Sequence, residues 1–463
     1  MNFENPRPPA KLILLVTTVT AFMTAFMGSS LNIALPIIGK EFNASAVMLS
    51  WLSTIYLLTT AALLIPVGKL SDINGRIKFF KLGIVLFSLG SFLCGLAPSA
   101  ITLLLLRIIQ GIGSSLIFSC STAILVSSFP PSQRGKALGI NTAAVYTGLS
   151  SGPFLGGLIT HYWNWRAIFI LNSLLGVIII VITFFYLRNE WKELVKQKFD
   201  KIGAMVYILS IVSLMIGVSL FPDITGFAVL IAGIFLLITF YFFEGKKKNP
   251  VFDVTMFRRN KTFTLSNLAA LINYSATFAI GFLMSFYLQS VRGLNPQEAG
   301  IILITQPVVQ ALFSPLAGRL SDKHEPQLVA SLGMGFLSAG LVVFCFLSAG
   351  MSLAIIVINL AFLGLGFALF SSPNVNAVMS SVEKSQYGVA SSTLASMRMI
   401  GQMLSMGMVI IIFTIFIGNA RITPENQIAF MQSARTAFIL FSALSVIGIF
   451  ASLSRGKIHS EIQ

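Results

Sequence analysis

The chain has 463 residues, of which 56% are hydrophobic and only 10% are charged, and its mean hydropathy is +0.87. Soluble proteins carry about 25% charged residues, so this composition excludes an ordinary water-soluble fold. The formal net charge of +16 would suit a nucleic-acid partner, but the basic residues are spread over many short segments between apolar runs.

Long apolar runs predict fourteen transmembrane helices. A bilayer core about 30 Å thick needs about 20 apolar residues per crossing, and continuous runs of this length indicate helices rather than barrel strands. The first run is too long for a signal peptide and ends at Pro36 without a small-residue cleavage site, so we predict a retained helix. The predicted spans are residues 12–37, 47–67, 79–97, 101–126, 138–160, 166–187, 202–221, 225–243, 263–289, 299–317, 328–348, 352–372, 388–417 and 434–453.

The basic residues follow the positive-inside rule when the N-terminus is placed in the cytoplasm. Most of the 31 Lys and Arg residues then lie in cytoplasmic segments. The exceptions lie within helices (Arg107 and Arg398) or on the outer side (Lys40, Arg166, Arg292, Arg421 and Arg435). We therefore expect a multi-pass protein of the cell membrane with both termini in the cytoplasm and with no nucleic-acid partner.

The loop after the second predicted helix reads GKLSDINGRIK, at residues 68–78. Gly68 and Gly75 permit a tight turn and a close approach of helices. Asp72 can pair with Arg76 or with Arg134 of the next cytoplasmic loop, and such a pair can hold one side of a transporter closed until its halves move. The alternative is that these basic residues are only topology anchors.

Two arginines fall inside predicted helices. Arg107, in LLRIIQGIG, lies in the outer half of helix 4, and Gln110 one turn later shares its face. An intramembrane charge is costly and usually faces a cavity or a partner, although snorkelling to the interface is the structural alternative. Arg398 in helix 13 is similar, with lining of the cytoplasmic entrance as an equal alternative. We expect these three residues to serve substrate binding or coupling.

Helix 5 contains GLSSGPFLGG, at residues 148–157. Pro153 removes a backbone donor and is expected to bend or soften the helix. The glycines give a flat face for a partner helix in small-xxx-small spacing, which serves either ordinary tight packing or a hinge. They are Gly148, Gly152, Gly156 and Gly157.

Charged interruptions at 188–201 and 244–261 bracket helices 7 and 8. They divide the chain into a six-helix bundle at 1–187, a linker with two extra helices at 188–261, and a second six-helix bundle at 262–463. Two passages repeat across this division. GKLSD at 68–72 returns as GRLSD at 318–322, which puts Asp322 in the place of Asp72, and GIGSSLIF at 111–118 is echoed by GLGFALF at 364–370. Paired six-helix halves indicate a transporter with its substrate path between them.

These motifs resemble the major facilitator superfamily: the helix 2–3 loop signature at 68–78, the helix-4 motif around Arg107, and the helix-5 antiporter motif at 148–157. With fourteen predicted helices and FDKIG at the start of helix 7, the chain is similar to the drug:proton antiporters that include multidrug and tetracycline exporters. The resemblance implies an all-α membrane fold of two six-helix bundles plus two inserted helices. Because helix 1 lines the cavity in this superfamily, it also suggests Met23, Met27 and Asn32 as cavity residues.

One feature departs from that family. FMGSSLNIALP at 26–36 resembles its helix-1 signature, in which an acidic residue precedes Asn-x-Ala-Leu-Pro, but Met27 occupies the acidic position. All fifteen Asp and Glu residues fall in loops, tails or helix edges by the predicted boundaries. Proton coupling would then use edge groups or a proton carried by the substrate. The edge groups considered are Asp72, Asp223, Glu298 and His161.

The resulting hypothesis is a secondary active exporter of hydrophobic or amphipathic small molecules, of multidrug and antibiotic-resistance type. It would work by alternating access, driven by the proton gradient. A lipid or lysolipid translocase and an uncoupled facilitator are the alternatives, and a receptor or scaffold without flux is less favoured. No nucleophile–base pair, metal-ligand cluster or phosphate loop is present in the sequence, so we expect no enzyme, no metal and no cofactor. We expect a monomer whose partners are the bilayer, the substrate and protons.

Overall fold

The computed structural model describes residues 9–187, 198–247, 250–252, 254–383, 386–418, 420–422 and 426–456. The first eight residues, the charged stretch 188–197 of the predicted linker, and the tail from 457 onward with His459 lie outside the described residues. Within the described ranges, all regular secondary structure is helical.

The first half of the chain forms six long helices. Three of them begin at a polar residue whose side chain accepts the backbone N–H three residues later, namely Ser45, Ser99 and Asn164. Such caps satisfy one of the four free donors at a helix start. The helices are α1 (Ala10–Phe42), α2 (Ala46–Asn74), α3 (Arg76–Gly95), α4 (Ala100–Ser128), α5 (Pro131–Tyr162) and α6 (Trp165–Tyr186).

Two inserted helices and a second set of rods follow. The described helices are α7 (Lys201–Leu220), α8 (Ile224–Glu244), α9 (Val254–Arg259), α10 (Lys261–Thr277), α11 (Ile280–Phe286), α12 (Pro296–Leu303), α13 (Thr305–Lys323), α14 (Pro326–Cys345), α15 (Leu353–Ser380), α16 (Tyr387–Phe416) and α17 (Gln427–Leu453). A π-turn at Tyr287–Val291 continues α11. The segments α10, α11 and the π-turn form one span, Lys261–Val291, and α12 with α13 forms another, Pro296–Lys323.

Among the described residues, 13 helical spans are long and apolar enough to cross a membrane. Helix α5 is the fourteenth rod. It has 32 residues, ample for a bilayer crossing at 1.5 Å per residue, but it is less apolar because it is rich in Gly, Ser and Thr. Small residues are what its close packing requires. The all-helical fold of two six-helix bundles with two inserted helices is therefore confirmed.

The internal repeat extends to hydrogen bonds. Ser71 Oγ donates to the Gly68 carbonyl at 2.8 Å, and Ser321 Oγ donates to the Gly318 carbonyl at 2.7 Å. The two GxLSD passages thus end their helices with the same local bond, at the same side of the two bundles.

The crossings of the following helices repeat as well. A Cβ built on Gly83 of α3 would lie 3.1 Å from the Gly113 carbonyl of α4, and a Cβ on Gly333 of α14 would lie 2.7 Å from the Gly366 carbonyl of α15. In both halves a glycine lets the backbones of two neighbouring helices touch. The repeated sequence therefore encodes repeated packing.

The inserted helix α7 lies against both bundles. Trp51 Nε1 of α2 donates to Ser219 Oγ at 2.8 Å, and the Tyr207 hydroxyl donates to the Ala61 carbonyl at 3.1 Å. On the other side Met215 lies 3.3 Å from a Cβ built on Gly407 of α16. Helix α8 packs mainly on α7 and leaves most of its apolar side chains exposed, as expected of a helix facing lipid.

Candidate functional site

A central cavity lies where α1 and α5 of the first bundle face α10–α13, α15 and α16 of the second. The empty space between its lining atoms, including the part continuous with its mouth, is about 850 Å³. None of the described residues that line it carries a formal charge at neutral pH. The lining consists of Ser29, Asn32, Ile33, Tyr146, Leu149, Ser150, Pro153, Tyr274, Thr277, Phe278, Gly281, Leu303, Gln306, Pro307, Gln310, Phe367 and Gln402.

Four carboxamides give this cavity its polarity. Gln306 and Gln310 are four residues apart on α13 and therefore share a face. Gln402 of α16 and Asn32 of α1 complete the set, and Ser53 Oγ fixes Asn32 by donating to its Oδ1 at 2.6 Å. An amide offers both donors and an acceptor without charge. The cavity can therefore hydrogen-bond an uncharged molecule whose carbon skeleton rests on the apolar walls.

Two tyrosines separate this cavity from a second chamber. The hydroxyls of Tyr146 on α5 and Tyr274 on α10 lie 2.8 Å apart. Both residues line the central cavity and the second chamber. The second chamber lies toward the ends of α4, α5, α15 and α16 that the topology prediction puts on the cytoplasmic side, and Arg398 is part of its lining. The pair of hydroxyls is thus a direct bond between the bundles.

The opposite ends of the bundles are joined more extensively. The first contact is between α1 and the α11 region: Ser285 Oγ donates to the Asn32 carbonyl at 2.8 Å, and Gln289 Nε2 donates to the Ile33 carbonyl at 2.9 Å. At the edge, the Ala46 N–H donates to the Ala420 carbonyl at 3.1 Å, and Arg421 donates to Asn43 Oδ1 at 2.8 Å. The structure is therefore closed on the side that the topology prediction puts outside.

Helix α5 divides its glycines between two partners. Gly148, Gly152 and Gly156 face α1: a Cβ on Gly148 would lie 2.5 Å from the Phe22 carbonyl, and one on Gly152 would overlap Ser29. Those contacts are within one bundle.

The last glycine of this motif faces the other bundle. A Cβ on Gly157 would lie 2.5 Å from the Pro296 carbonyl of α12, and a Cβ on Gly300 would lie 2.6 Å from the Pro153 carbonyl. The residues predicted as a hinge therefore lie at two close helix crossings, one of which joins the bundles on the side that the topology prediction puts outside.

Arg107 lies inside the first bundle, away from the residues that line the cavity. It is 0% exposed. Its guanidinium donates to Gln110 Oε1 at 2.6 Å and to the Leu52 carbonyl at 3.3 Å, and it lies 4.4 Å from the Tyr56 ring centroid. Gln110 in turn donates to Ser91 at 2.7 Å. Arg107 and Gln110, which share a face of α4, are thus hydrogen-bonded to each other and link α4 to α2 and α3.

Most of the predicted loop at residues 68–78 is helical: α2 continues through Gly68 and Asp72 to Asn74, and only Gly75 separates it from α3. Asp72 pairs with one of its two candidate partners. Gly75 has a φ of 117°, a region that favours glycine. Arg76 Nε lies 2.6 Å from Asp72 Oδ1, whereas Arg134 donates to the Phe129 carbonyl at 3.2 Å. In the second bundle Asp322 accepts from Asn376 at 3.3 Å.

The three residues proposed from helix 1 have different surroundings. Asn32 lines the central cavity. Met23 and Met27 are buried, at 1% and 0% exposure, and neither is among the residues that line the two chambers. Met27 stands where the family signature has its acid, and none of the described residues lining either chamber is Asp, Glu or His.

The described part of the chain does contain one buried carboxyl group, at the end of α8. Glu244 is 1% exposed, and its Oε2 accepts from the backbone N–H of Val251 at 2.5 Å and of Phe252 at 3.2 Å. Nearby, Lys247 forms an ion pair with Asp200. Burial by itself would raise the pKa of Asp200, but the hydrogen bonds from Lys247 and from the Gly203 N–H hold that pKa below its ordinary value.

The glutamines and tyrosines of the cavity were not predicted from the sequence. The sequence does carry a signal for the glutamines, because Gln306, Gln310 and Gln402 are polar residues inside apolar runs. Such residues usually face a bundle interior. The Tyr146–Tyr274 pair had no local signal, since it depends on how two distant helices approach each other.

The sequence profile of the Major Facilitator Superfamily matches residues 17–257 and 267–460. The chain is 31% identical over 390 residues to the riboflavin transporter RibZ of Clostridioides difficile (strain 630), covering 84% of each protein. It is 30% identical over 398 residues to the multidrug resistance protein Stp of Mycobacterium tuberculosis (strain ATCC 25618 / H37Rv), covering 84% of this chain and 73% of that protein. A bacterial homologue of the human lysosomal transporter Spinster, in an inward-facing and occupied conformation, has the same fold, with a TM-score of 0.71, 17% identity and 97% coverage of both chains. The chain is therefore a multi-pass membrane transporter that belongs to the Major Facilitator Superfamily.

Proposed function

We propose that this transporter exports small amphipathic molecules that carry no net positive charge, by alternating access of the central cavity to the two faces of the cell membrane. The observation that carries the proposal is the lining of that cavity, whose described residues include four carboxamides, several hydroxyls and aromatic rings but no carboxylate. A cation desolvated there would have no counter-charge, and an unpaired cation in a low-dielectric site is costly. An uncharged molecule with several hydrogen-bonding atoms avoids that cost.

The closed outer side supports alternating access by a movement of the two bundles relative to each other. The outer ends of the bundles make several direct bonds, while the cavity is separated from the second chamber by the Tyr146–Tyr274 pair. Breaking the tyrosine bond would join the two spaces and open a path toward the side that we place in the cytoplasm. Substrate would enter there and leave outward after the outer contacts separate.

A heteroaromatic vitamin or drug is the favoured substrate class within this proposal. Gln306, Gln310 and Gln402 can pair with ring nitrogens and carbonyls, and Phe278 and Phe367 offer apolar surface to a planar ring. The relative named a riboflavin transporter and the relative named a multidrug resistance protein both suit such a cavity. Riboflavin is therefore the first compound to test, and a lysolipid is the competing one.

Transport in proteoliposomes tests the proposal. Riboflavin flux should exceed that of a cationic dye such as ethidium, and Gln402→Leu should reduce it about 2- to 10-fold, the effect of one lost neutral hydrogen bond. Gln133→Leu, at an exposed position of α5, is the matched control and should leave flux unchanged. Preferred flux of ethidium, or of a fluorescent lysophospholipid, would overturn the substrate class, and no flux of any compound would favour a receptor or scaffold.

We further propose that the proton gradient drives export through groups outside the cavity, or through a proton carried by the substrate. Asp72, Asp223, Glu298 and His161 are the candidate groups. Two of them have local partners that support a structural role as well, since Asp72 pairs with Arg76 and Glu298 forms a capping box with its N-cap residue. A pH gradient and a voltage should be imposed separately; flux that responds to neither would make the protein an uncoupled facilitator.

A further inference from the structure

The second chamber contains a group of polar side chains that has no role in the proposed export of uncharged molecules. It lies between the bundles on the cytoplasmic side of the Tyr146–Tyr274 pair, and the empty space around its lining atoms, including the part open to solvent, is about 680 Å³. Ser121 and Asn141 line it from the first bundle, and Asn374 and Arg398 line it from the second.

All four of these residues have a buried polar atom without a hydrogen-bond partner: Ser121 Oγ, Asn141 Oδ1, Asn374 Oδ1 and Arg398 Nε. The residues are 2%, 9%, 2% and 8% exposed, respectively. An unsatisfied buried polar group destabilises a protein, and a charged one does so more strongly. Such groups are normally satisfied by protein, water or a ligand. Four of them around one space indicate that the chamber is built to hold a polar occupant.

The charge of the chamber specifies the occupant further. Among the described residues that line the space, Arg398 is the only one with a formal charge, and none is acidic. None of the ion pairs found among the described residues includes Arg398. A guanidinium matches a carboxylate or phosphate with paired hydrogen bonds. The two orphan amide oxygens accept hydrogen bonds, so the occupant also needs hydroxyl or N–H donors near its anionic group.

We propose that this chamber is a second ligand site, which takes a small organic anion bearing hydroxyl or amide donors, such as a hydroxycarboxylate or a phosphate monoester. The anionic group binds Arg398, its donors meet Asn141 and Asn374, and Phe118 and Phe370 cover its carbon skeleton. Because the contacts come from both bundles, a bound anion links them on the cytoplasmic side. The site thus holds an anion on the cytoplasmic side of the tyrosine pair, outside the neutral cavity.

Binding to the purified full-length protein tests this without any transport. The probes are 4-hydroxybenzoate, its uncharged analogue 4-hydroxybenzamide, and 4-hydroxyphenyl phosphate, titrated by isothermal calorimetry. The two anions should bind at least about tenfold more tightly than the amide, the effect of a hydrogen bond to a charged group. Arg398→Gln should remove this preference, and Arg398→Lys should retain part of it because it keeps the charge but not the planar fork.

Arg319→Gln, at an exposed position on α13 near the same side of the membrane, is the matched control for general electrostatic attraction and should bind like the wild type. If Arg398→Gln fails to fold, Asn374→Ala keeps the charge and should weaken anion binding about 2- to 10-fold. Equal binding of 4-hydroxybenzoate and 4-hydroxybenzamide, or anion binding unchanged in both variants, would overturn the proposal. Failure of riboflavin flux would sink the proposed export and leave this binding result standing.

Discussion

The crossing of α5 and α12 offers a way to move the conformational equilibrium with one methyl group. A Cβ on Gly157 would lie 2.5 Å from the Pro296 carbonyl and 3.3 Å from Gly300 Cα. These are backbone atoms, so no flexible side chain can turn aside. The contact joins the two bundles on the side that the topology prediction puts outside, and we expect it to be lost when that side opens. Gly157→Ala should therefore destabilise the outward-closed conformation and leave the outward-open conformation untouched.

The size of the shift follows from the cost of overpacking, about 1–3 kcal/mol per added methyl group in a tight site. Because this cost falls on one of two conformations, it changes their ratio about 5- to 150-fold. If the outward-open population of the wild type is about 1%, a cost of about 2 kcal/mol raises it to roughly a quarter.

Double electron–electron resonance between spin labels on the outer ends measures that population. Tyr162 at the end of α5 and Phe346 after α14 are 67% and 74% exposed and suit the labels, in a background without native cysteines. Gly157→Ala should add a longer-distance peak.

Gly139→Ala, in the same helix, is the matched control, because a Cβ there would have nothing within 4 Å. It should leave the distance distribution unchanged. A Gly157→Ala protein with the wild-type distribution, at wild-type stability, would refute the inference that this crossing closes the outer side.

Three further changes have defined outcomes. Tyr146→Phe removes the hydroxyl bond between the bundles and should shift the equilibrium between closed and open forms of the cytoplasmic side toward open by about 2- to 10-fold. A cysteine placed at Thr277 should then be labelled faster. Unchanged labelling would contradict the inference that this bond separates the cavity from the second chamber. Gln306→Leu should raise the KM for riboflavin about 2- to 10-fold with little change in kcat if it removes uniform binding, measured as initial flux. Asp200 has a depressed pKa, so its ion pair with Lys247 stabilises the protein above its unfolded pKa near 3.8 and this stabilisation is lost as the pH falls through the folded value. Asp200→Asn should therefore lower the Tm at pH 7 and weaken the acid dependence of Tm, and an unaltered Tm–pH profile would argue against it.

The sequence predicts the architecture well because each bilayer crossing requires a long apolar run, and such a run can be read directly from the sequence. The repeat was also visible in the sequence. GKLSD and GRLSD each keep a serine, Ser71 and Ser321, whose hydroxyl donates to the carbonyl of the glycine three residues earlier. Boundaries were less accurate. The predicted span 263–289 is the bent rod Lys261–Val291, and 299–317 lengthens to Pro296–Lys323, because helix ends carry polar residues that a hydropathy pattern omits.

The candidate site was predicted less completely, for a physical reason. Intramembrane charge drew attention to Arg107, which lies inside the first bundle and donates to Gln110 and to the Leu52 carbonyl. The cavity instead depends on neutral amides, which look ordinary in an apolar run. Asn32 was the exception, because a helix-1 motif marked it. Contacts between distant helices, such as Tyr146 with Tyr274, have no local pattern from which they could be predicted.

We expect transport to require that the two bundles separate on the side predicted to be outside. Ala46 N and Ala420 O lie 3.1 Å apart across the bundles, which brings these two backbones within the range that a disulfide can bridge. In a protein with cysteines at both positions and no others, we predict that oxidation stops riboflavin flux and that dithiothreitol restores it, while each single-cysteine variant stays active throughout. Full flux through a completely cross-linked protein would contradict the account.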